Sequence, residues 1–232
     1  MADDIRAILL DIEGTTTPIA FVYDVLFPYA RAHLREYLRD RPDRSVIDLL
    51  KQEWADDASA APAPAATAPE LVTYVESLMD RDRKSPGLKQ LQGLVWERGY
   101  RDGLLKGDVF VDVRPALERW HKRGIKVAIY SSGSALAQRL LFSTTAFGDL
   151  TTLLSGFFDT SSGVKTSSES YRRIAAVIGC STAQLLFVSD VAAELDAARS
   201  AGCQVVLCIR PGNAAQRVSA DVRVVHTFDE IH

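Results

Sequence analysis

Residues 5–11, Ile-Arg-Ala-Ile-Leu-Leu-Asp, form a short, nearly unbroken apolar run that ends in an acid. Such a run suits a strand covered on both faces. Gly14 breaks the extended chain just beyond it. From about 18 to 105 the period changes. Tyr23, Leu26, Phe27, Ala30, His33, Leu34, Tyr37 and Leu38 recur at spacings of three and four, which predicts an amphipathic helix. Pro42 and Asp43 stop it, and Ser45 opens a second helix through Ile47, Leu50 and Trp54. The Pro/Ala-rich stretch 58–69 lacks large side chains and predicts an exposed loop or short semi-rigid spacer. A third helix is expected over 70–81, with Leu71, Tyr74, Val75 and Leu78 on one face, and a fourth over 86–102. With no convincing strand between 18 and 105, the region is a helical insert.

Beyond about 108, helix and strand alternate. A helix is expected over 113–123, with Asp112 as its N-cap, Pro115 in its first turn and Gly124 closing it. Residues 125–130 read as a strand that ends in Ser131-Ser132-Gly133, followed by a helix over 134–142. Residues 185–189 are the next strand, ending in Asp190. A helix over 192–201 and a strand over 204–209 follow. Repeated units of this kind predict an α/β fold: a parallel sheet with helices on both faces.

Composition narrows the function. Apolar residues make up 47% and charged residues 25% of the 232 residues, which is the ordinary globular range and enough for a sizeable core. A net charge of -3 argues against a polyanion such as nucleic acid as partner. The acidic start of the chain does not read as a signal peptide. No apolar run approaches the ~20 residues that span a bilayer. Cys180, Cys203 and Cys208 contain no CxxC pair and read as buried, reduced thiols of a cytoplasmic protein. The four His are too scattered for a His/Cys zinc centre.

In an open parallel sheet, ligands bind beyond the carboxyl ends of the strands. Three expected strand ends here carry reactive or anion-binding groups: Asp11, Ser131 and Asp190. Strand alternation would place Asp11 and Glu13 on one side. Two such carboxylates suit divided roles in phosphoryl transfer. One attacks phosphorus, and the other protonates the leaving alcohol and later activates water. Gly14 would let backbone amides approach a phosphate. Ser131, Ser132 and Gly133 open a helix and offer hydroxyls and amides to an anion. Lys165 lies in a polar stretch, 159–165, with no amphipathic period, and would neutralise phosphate and nucleophile. Asp190 would ligate magnesium, a hard cation that prefers oxygen. Glu194 would reach that ion through water or orient Lys165. Each feature alone has an ordinary structural explanation: an acidic turn, a Ser-rich N-cap, a solvated Lys, an N-cap acid. Their shared position at sheet tips is what favours catalysis.

Asp11-x-Glu13-Gly-Thr-Thr, Ser131, Lys165 and Ser189-Asp190 resemble the four ordered motifs of the haloacid dehalogenase superfamily. The likeness is closest to its enolase-phosphatase E1 family. There it also covers Phe21-Val22, Leu26-Phe-Pro-Tyr29, Tyr130-Ser-Ser-Gly-Ser134, Ala137-Gln138, Ser170-Tyr171, Glu194-Leu-Asp-Ala-Ala198 and Arg210-Pro-Gly-Asn213. The resemblance implies a Rossmann-like catalytic core from 1–17 and 106–232 and a helical type 1 cap from 18–105. It implies a two-step reaction of methionine salvage. The substrate, 2,3-diketo-5-methylthiopentyl-1-phosphate, is enolised and then dephosphorylated to the acireductone 1,2-dihydroxy-3-keto-5-methylthiopentene. It implies one Mg2+ per subunit, held by the Asp11 and Asp190 side chains and the Glu13 backbone carbonyl, with Ser131, Ser132 and Lys165 on the substrate. It also implies a cytoplasmic monomer without nucleic-acid or membrane partners. The stretch 58–69 departs from the family pattern, and no base for the enolisation is legible. A general phosphatase of the same superfamily would share Asp11, Lys165 and Asp190. A phosphorylated receiver domain would instead carry its acceptor on a central strand and need about half this length.

Overall fold

Six strands form one sheet in a computed structural model of the chain: β1 (Ala7–Leu10), β2 (Lys126–Tyr130), β3 (Gly156–Phe158), β4 (Leu185–Ser189), β5 (Gln204–Cys208) and β6 (Arg223–Val225). The structure describes residues 5–40, 43–57, 68–81, 83 and 85–232. The sheet order is β3-β2-β1-β4-β5-β6, and every pairing is parallel. Helices α1 (Phe27–Asp40), α2 (Arg44–Asp56), α3 (Ala68–Asp80) and α4 (Pro86–Arg101) form the insert. The helices α5 (Val113–Lys122), α6 (Ala135–Ser143), α7 (Ser168–Ile178) and α8 (Ala192–Ser200) alternate with the strands. The expected spacer 58–69 falls almost wholly outside the described residues.

The sheet is buried because its strands are apolar on both sides. Ala7 and Leu9 of β1, Ala128 and Tyr130 of β2, and Leu185 and Phe187 of β4 pack with Tyr171, Ile174, Leu195 and Ala198 of α7 and α8. The alternate residues Ile8, Leu10, Val127, Ile129 and Val188 are also buried. Alternation turns them to the opposite face, where α5 packs on β2. Because all strands run one way, their carboxyl ends share one edge. Leu10 pairs with Ile129 on one side and Val188 on the other. The residues that follow these strands are therefore neighbours without being near in sequence.

Contacts divide the chain into two units, Met1–Val22 with Lys106–His232, and Tyr23–Leu105. In the second unit, α1 and α2 both pack on α4, and Trp54 stacks on Tyr74 with ring centroids 5.0 Å apart. The amino end of α4 is closed by Ser85, which accepts from Leu88 N at 2.9 Å, and by Glu53, which accepts from Gly87 N at 2.8 Å. These contacts satisfy donors that a helix start leaves open and place an acid against the positive end of its dipole.

Three expectations change. The strands β3 and β6 and helix α7 join the fold without having been expected. Cys203 and Cys208 are buried thiols, but Cys180 is only half-buried. Asp112 does not cap α5 with its side chain. It is buried instead against Arg210, 2.8 Å away, and accepts the Phe228 amide at 2.6 Å. The Arg210 guanidinium lies 4.4 Å from the Phe110 ring centre and 4.7 Å from that of Phe228. A charge pair this deep outcompetes a helix cap because the guanidinium has no water to turn to.

Asp112→Ala leaves that guanidinium buried and unpaired. The loss should be about 3–5 kcal/mol of unfolding free energy, read as a lower urea midpoint. Glu118→Ala, which breaks the exposed Arg114–Glu118 pair, should cost under about 0.5 kcal/mol.

Candidate active site

Extended structure stops at Leu10. The chain then folds into a tight loop rather than continuing as a pleated strand. The Asp11 amide still donates to Val188 O at 3.0 Å, but Ile12 O accepts three amides, from Thr15 at 3.1 Å, Thr16 at 3.0 Å and Thr17 at 2.9 Å. The Thr16 hydroxyl caps the turn by donating to Asp11 O at 2.9 Å. Strand alternation therefore does not govern Glu13, whose place is set by this loop. Gly14 has φ 70. A Cβ there would lie 2.5 Å from Asp190 Oδ2 and 2.9 Å from Asn213 Oδ1, so only glycine admits both side chains so close.

Asp11 is nearly buried, at 4% exposure. Its Oδ1 accepts the Ile12 amide at 2.7 Å and lies 2.6 Å from Lys165 Nζ. Its Oδ2 is 2.9 Å from the Ser189 hydroxyl, which also lies 3.1 Å from Glu194 Oε2. Lys165 completes the ring at 2.7 Å from Glu194 Oε2. Of the two roles open to Glu194, the geometry supports the orientation of Lys165. The sheet register brings these groups together across 178 residues of sequence between Asp11 and Ser189.

The electrostatics are strained by burial. Burial alone would lower the Lys165 pKa, but the Asp11 and Glu194 carboxylates outweigh it and hold the pKa above its ordinary value. Glu194 is pushed up to about 7 by burial and then by Asp11, with Lys165 opposing. Asp190 is raised to about 6, again by burial first and Asp11 second. Lys165 is committed to the other two acids, so Asp190 is the carboxylate most in need of a further cation.

Ser131 is buried beyond β2, and its amide donates to Phe158 O at 3.1 Å. Its hydroxyl oxygen accepts the Gly133 amide at 3.1 Å, while Ser132 is exposed. The amino end of α6 is partly spoken for. Ser134 accepts the Ala137 amide at 3.2 Å, and Asp159 accepts the Ala135 amide at 3.0 Å. What faces an anion here is thus the Ser131–Gly133 turn more than the helix end. Gln138 braces that turn, donating at 2.8 Å to Gly133 O and to Phe158 O.

The residues fit a hard divalent cation. Among the described residues no three His, Cys, Asp or Glu side chains form a ready-made metal centre. Magnesium does not need one, because it takes one or two carboxylates and completes its shell with water and substrate oxygen. Asp11 and Asp190 would supply those carboxylates. Thr15 Oγ1, Thr17 Oγ1 and Asn213 Oδ1 are buried here without a hydrogen-bond partner among the described residues. Asn213 donates to Gly14 O at 2.9 Å, which fixes its amide nitrogen there and turns Oδ1 into the slot above Gly14. Arg210 also clamps this loop, donating to Thr15 O at 3.0 Å. The sequence names Arg210 and Asn213 only through resemblance. Their signal, Arg-Pro-Gly-Asn just past a strand, marks a turn at the ligand-binding edge.

Comparison with known proteins identifies the family. The haloacid dehalogenase-like hydrolase family model matches residues 5–202. Enolase-phosphatase E1 of Synechococcus elongatus is 49% identical, with 98% of each chain covered. A maize protein, a probable bifunctional methylthioribulose-1-phosphate dehydratase/enolase-phosphatase E1, is 45% identical over 99% of this chain and 48% of its own length. The crystal structure of the UTR4 protein of Saccharomyces cerevisiae superimposes with a TM-score of 0.79 at 36% identity, covering 98% of this chain and 100% of that one. With the family's motifs in its strand-end loops and this likeness over nearly its whole length, the chain belongs to the haloacid dehalogenase-like hydrolases, in their enolase-phosphatase E1 branch.

Proposed function

We propose that this hydrolase is a magnesium-dependent enolase-phosphatase. It enolises 2,3-diketo-5-methylthiopentyl-1-phosphate and then releases phosphate, leaving the acireductone of methionine salvage. The observation that carries the phosphatase half is the buried Asp11 carboxylate, set at a strand tip between Lys165 and Ser189. The enolase half is supported by the 49% identity to an enolase-phosphatase E1 over 98% of the chain.

In this reading Asp11 is the nucleophile that forms an aspartyl phosphate. The contacts from Lys165, Ser189 and the Ile12 amide fix its direction. Lys165 and the Ser131 turn face the phosphoryl oxygens, where charge spreads during transfer. Glu13, on the same loop, protonates the leaving oxygen and then takes the proton of the hydrolytic water. Asp11, Asp190 and the Glu13 carbonyl would hold magnesium, which supplies Lewis-acid neutralisation of phosphate and dicarbonyl oxygens when bound. Glu194 holds Lys165 in place, 2.7 Å away.

The test is to incubate the protein with the diketo phosphate ester and follow phosphate release together with enediol absorbance. Both should appear with magnesium and both should vanish with a chelator. Phosphate release from simple esters with no enediol from this substrate would replace the reading with that of a general phosphatase. Asp11→Asn should lower turnover by about 10³-fold or more while the ester still binds, as seen by calorimetry. Near-normal turnover would remove Asp11 from the role. Gly14→Ala should weaken magnesium binding at least about tenfold, because it strains a left-handed residue by about 1–2 kcal/mol and drives Asp190 from its place. Unchanged magnesium affinity in that variant would show that Asp190 is not a ligand.

A further inference from the structure

Lys165 sits in a loop between the short turn Thr160–Ser162 and α7, yet its ammonium is placed 2.6 Å from Asp11 Oδ1. Three successive backbone carbonyls of that loop each accept one side-chain hydroxyl. Tyr130 donates to Gly163 O at 2.9 Å, Ser170 to Val164 O at 2.8 Å, and Tyr171 to Lys165 O at 2.7 Å. The donors come from the end of β2 and the first turn of α7. All three are buried, at 0% exposure for Tyr130, 2% for Ser170 and 0% for Tyr171. Ring packing fixes the two phenols. Tyr130 meets Tyr171 edge-on with centroids 5.7 Å apart, and Tyr171 lies 5.0 Å from Phe187 of the central sheet.

Two further contacts show how closely this loop is specified. Gly163 has φ 119, and a Cβ there would run into the Ser170 hydroxyl. The Tyr171 hydroxyl also lies 3.2 Å from Glu194 O. One phenol thus spans the backbones of both residues whose side chains form the Lys165–Glu194 ion pair. A lysine stem carries four rotatable bonds, so a defined backbone origin is what leaves its ammonium few places to go.

We propose that Tyr130, Ser170 and Tyr171 are positioning residues whose three hydroxyls fix the 163–165 carbonyls and thereby hold Lys165 between Asp11 and the incoming phosphoryl group. This rests on the reading of Lys165 as the phosphate-facing cation. The hydroxyls touch no reacting atom. Their effect reaches the chemistry only through the lysine.

The experiment measures orthovanadate affinity, with magnesium present, together with kcat and KM. Orthovanadate mimics the phosphoryl group in flight. Tyr171→Phe keeps the ring and its packing and removes one hydrogen bond. It should weaken orthovanadate binding and lower kcat by about tenfold each, with KM changed less than about twofold. The same substitution in a Lys165→Met background should leave the residual orthovanadate affinity unchanged. An equal loss in both backgrounds, or no loss in either, overturns the proposal. Should Tyr171→Phe fail to fold by circular dichroism, Tyr130→Phe and Ser170→Ala decide by the same criterion. Orthovanadate binding in Lys165→Met alone as tight as in the unsubstituted protein would overturn the role of Lys165 itself. That failure is separate, since no hydroxyl has been changed.

Discussion

The site turns on one buried ammonium shared between two carboxylates. Lys165 is 2.6 Å from Asp11 and 2.7 Å from Glu194. Ion pairs removed from water are costly unless their remaining hydrogen-bonding capacity is met. Here it largely is. Asp11 also accepts from the Ile12 amide, and the Ser189 hydroxyl lies between the two acids, 2.9 Å from Asp11 Oδ2 and 3.1 Å from Glu194 Oε2, with one proton to give. The arrangement depends on the parallel sheet, because only neighbouring strand ends place Asp11 beside Ser189 and within reach of the loop after β3. A slip in the register of β1 against β4 would turn Asp11 away from both.

A second buried pair, Arg210 with Asp112, does for the backbone what Lys165 does for the side chains. Arg210 reaches from the end of β5 to Thr15 O, and Asn213 from the same turn to Gly14 O. The loop that carries Asp11 is thus held from outside by donors to its own carbonyls, so its shape does not rest on the Asp11 and Asp190 side chains. Rigidity of this kind stabilises transfer because no reorganisation is needed when charge develops.

Much of this was legible in the sequence, for identifiable reasons. The strands β1, β2, β4 and β5 are apolar runs four or five residues long that end in Asp, Ser or a turn, and the helices of the insert keep a strong apolar period. Strands β3 and β6 are three residues each, and none of the residues of β3 is fully buried, so no run or alternation identifies them. Helix α7 does carry the apolar spacing Tyr171, Ile174, Ala175, Ile178, which begins just beyond the unpatterned stretch around Lys165. Asp112 read as a cap because a cap is a local device. Its true partner, Arg210, lies 98 residues away. In the site, Asp11 and Asp190 announce themselves as acids at strand ends, whereas Lys165 in its unpatterned stretch and Glu194 on a helix stand out only beside them and through the family resemblance. The residues that hold them, Tyr130, Tyr171 and Arg210, look like ordinary core or turn residues until the loops are folded.

Charge counting explains why a divalent cation belongs in the proposed reaction. Asp11, Asp190 and Glu194 are three buried or largely buried acids facing one Lys. A phosphate ester would bring about two further negative charges to a cluster already short of positive charge. Two of the three N–H donors of Lys165 already point at Asp11 and Glu194, so this one cation cannot answer both demands alone. The pKa values of Asp190 and Glu194 are raised, first by burial and then by the Asp11 charge. Protonating those acids would relieve the repulsion, but at the expense of the carboxylates that the chemistry uses. A hard cation held by Asp11 and Asp190 would relieve it without that loss. The slot above Gly14, bordered by Asp190 Oδ2 and by Asn213 Oδ1, which has no hydrogen-bond partner among the described residues, would offer such an ion and its water oxygen-lined surroundings.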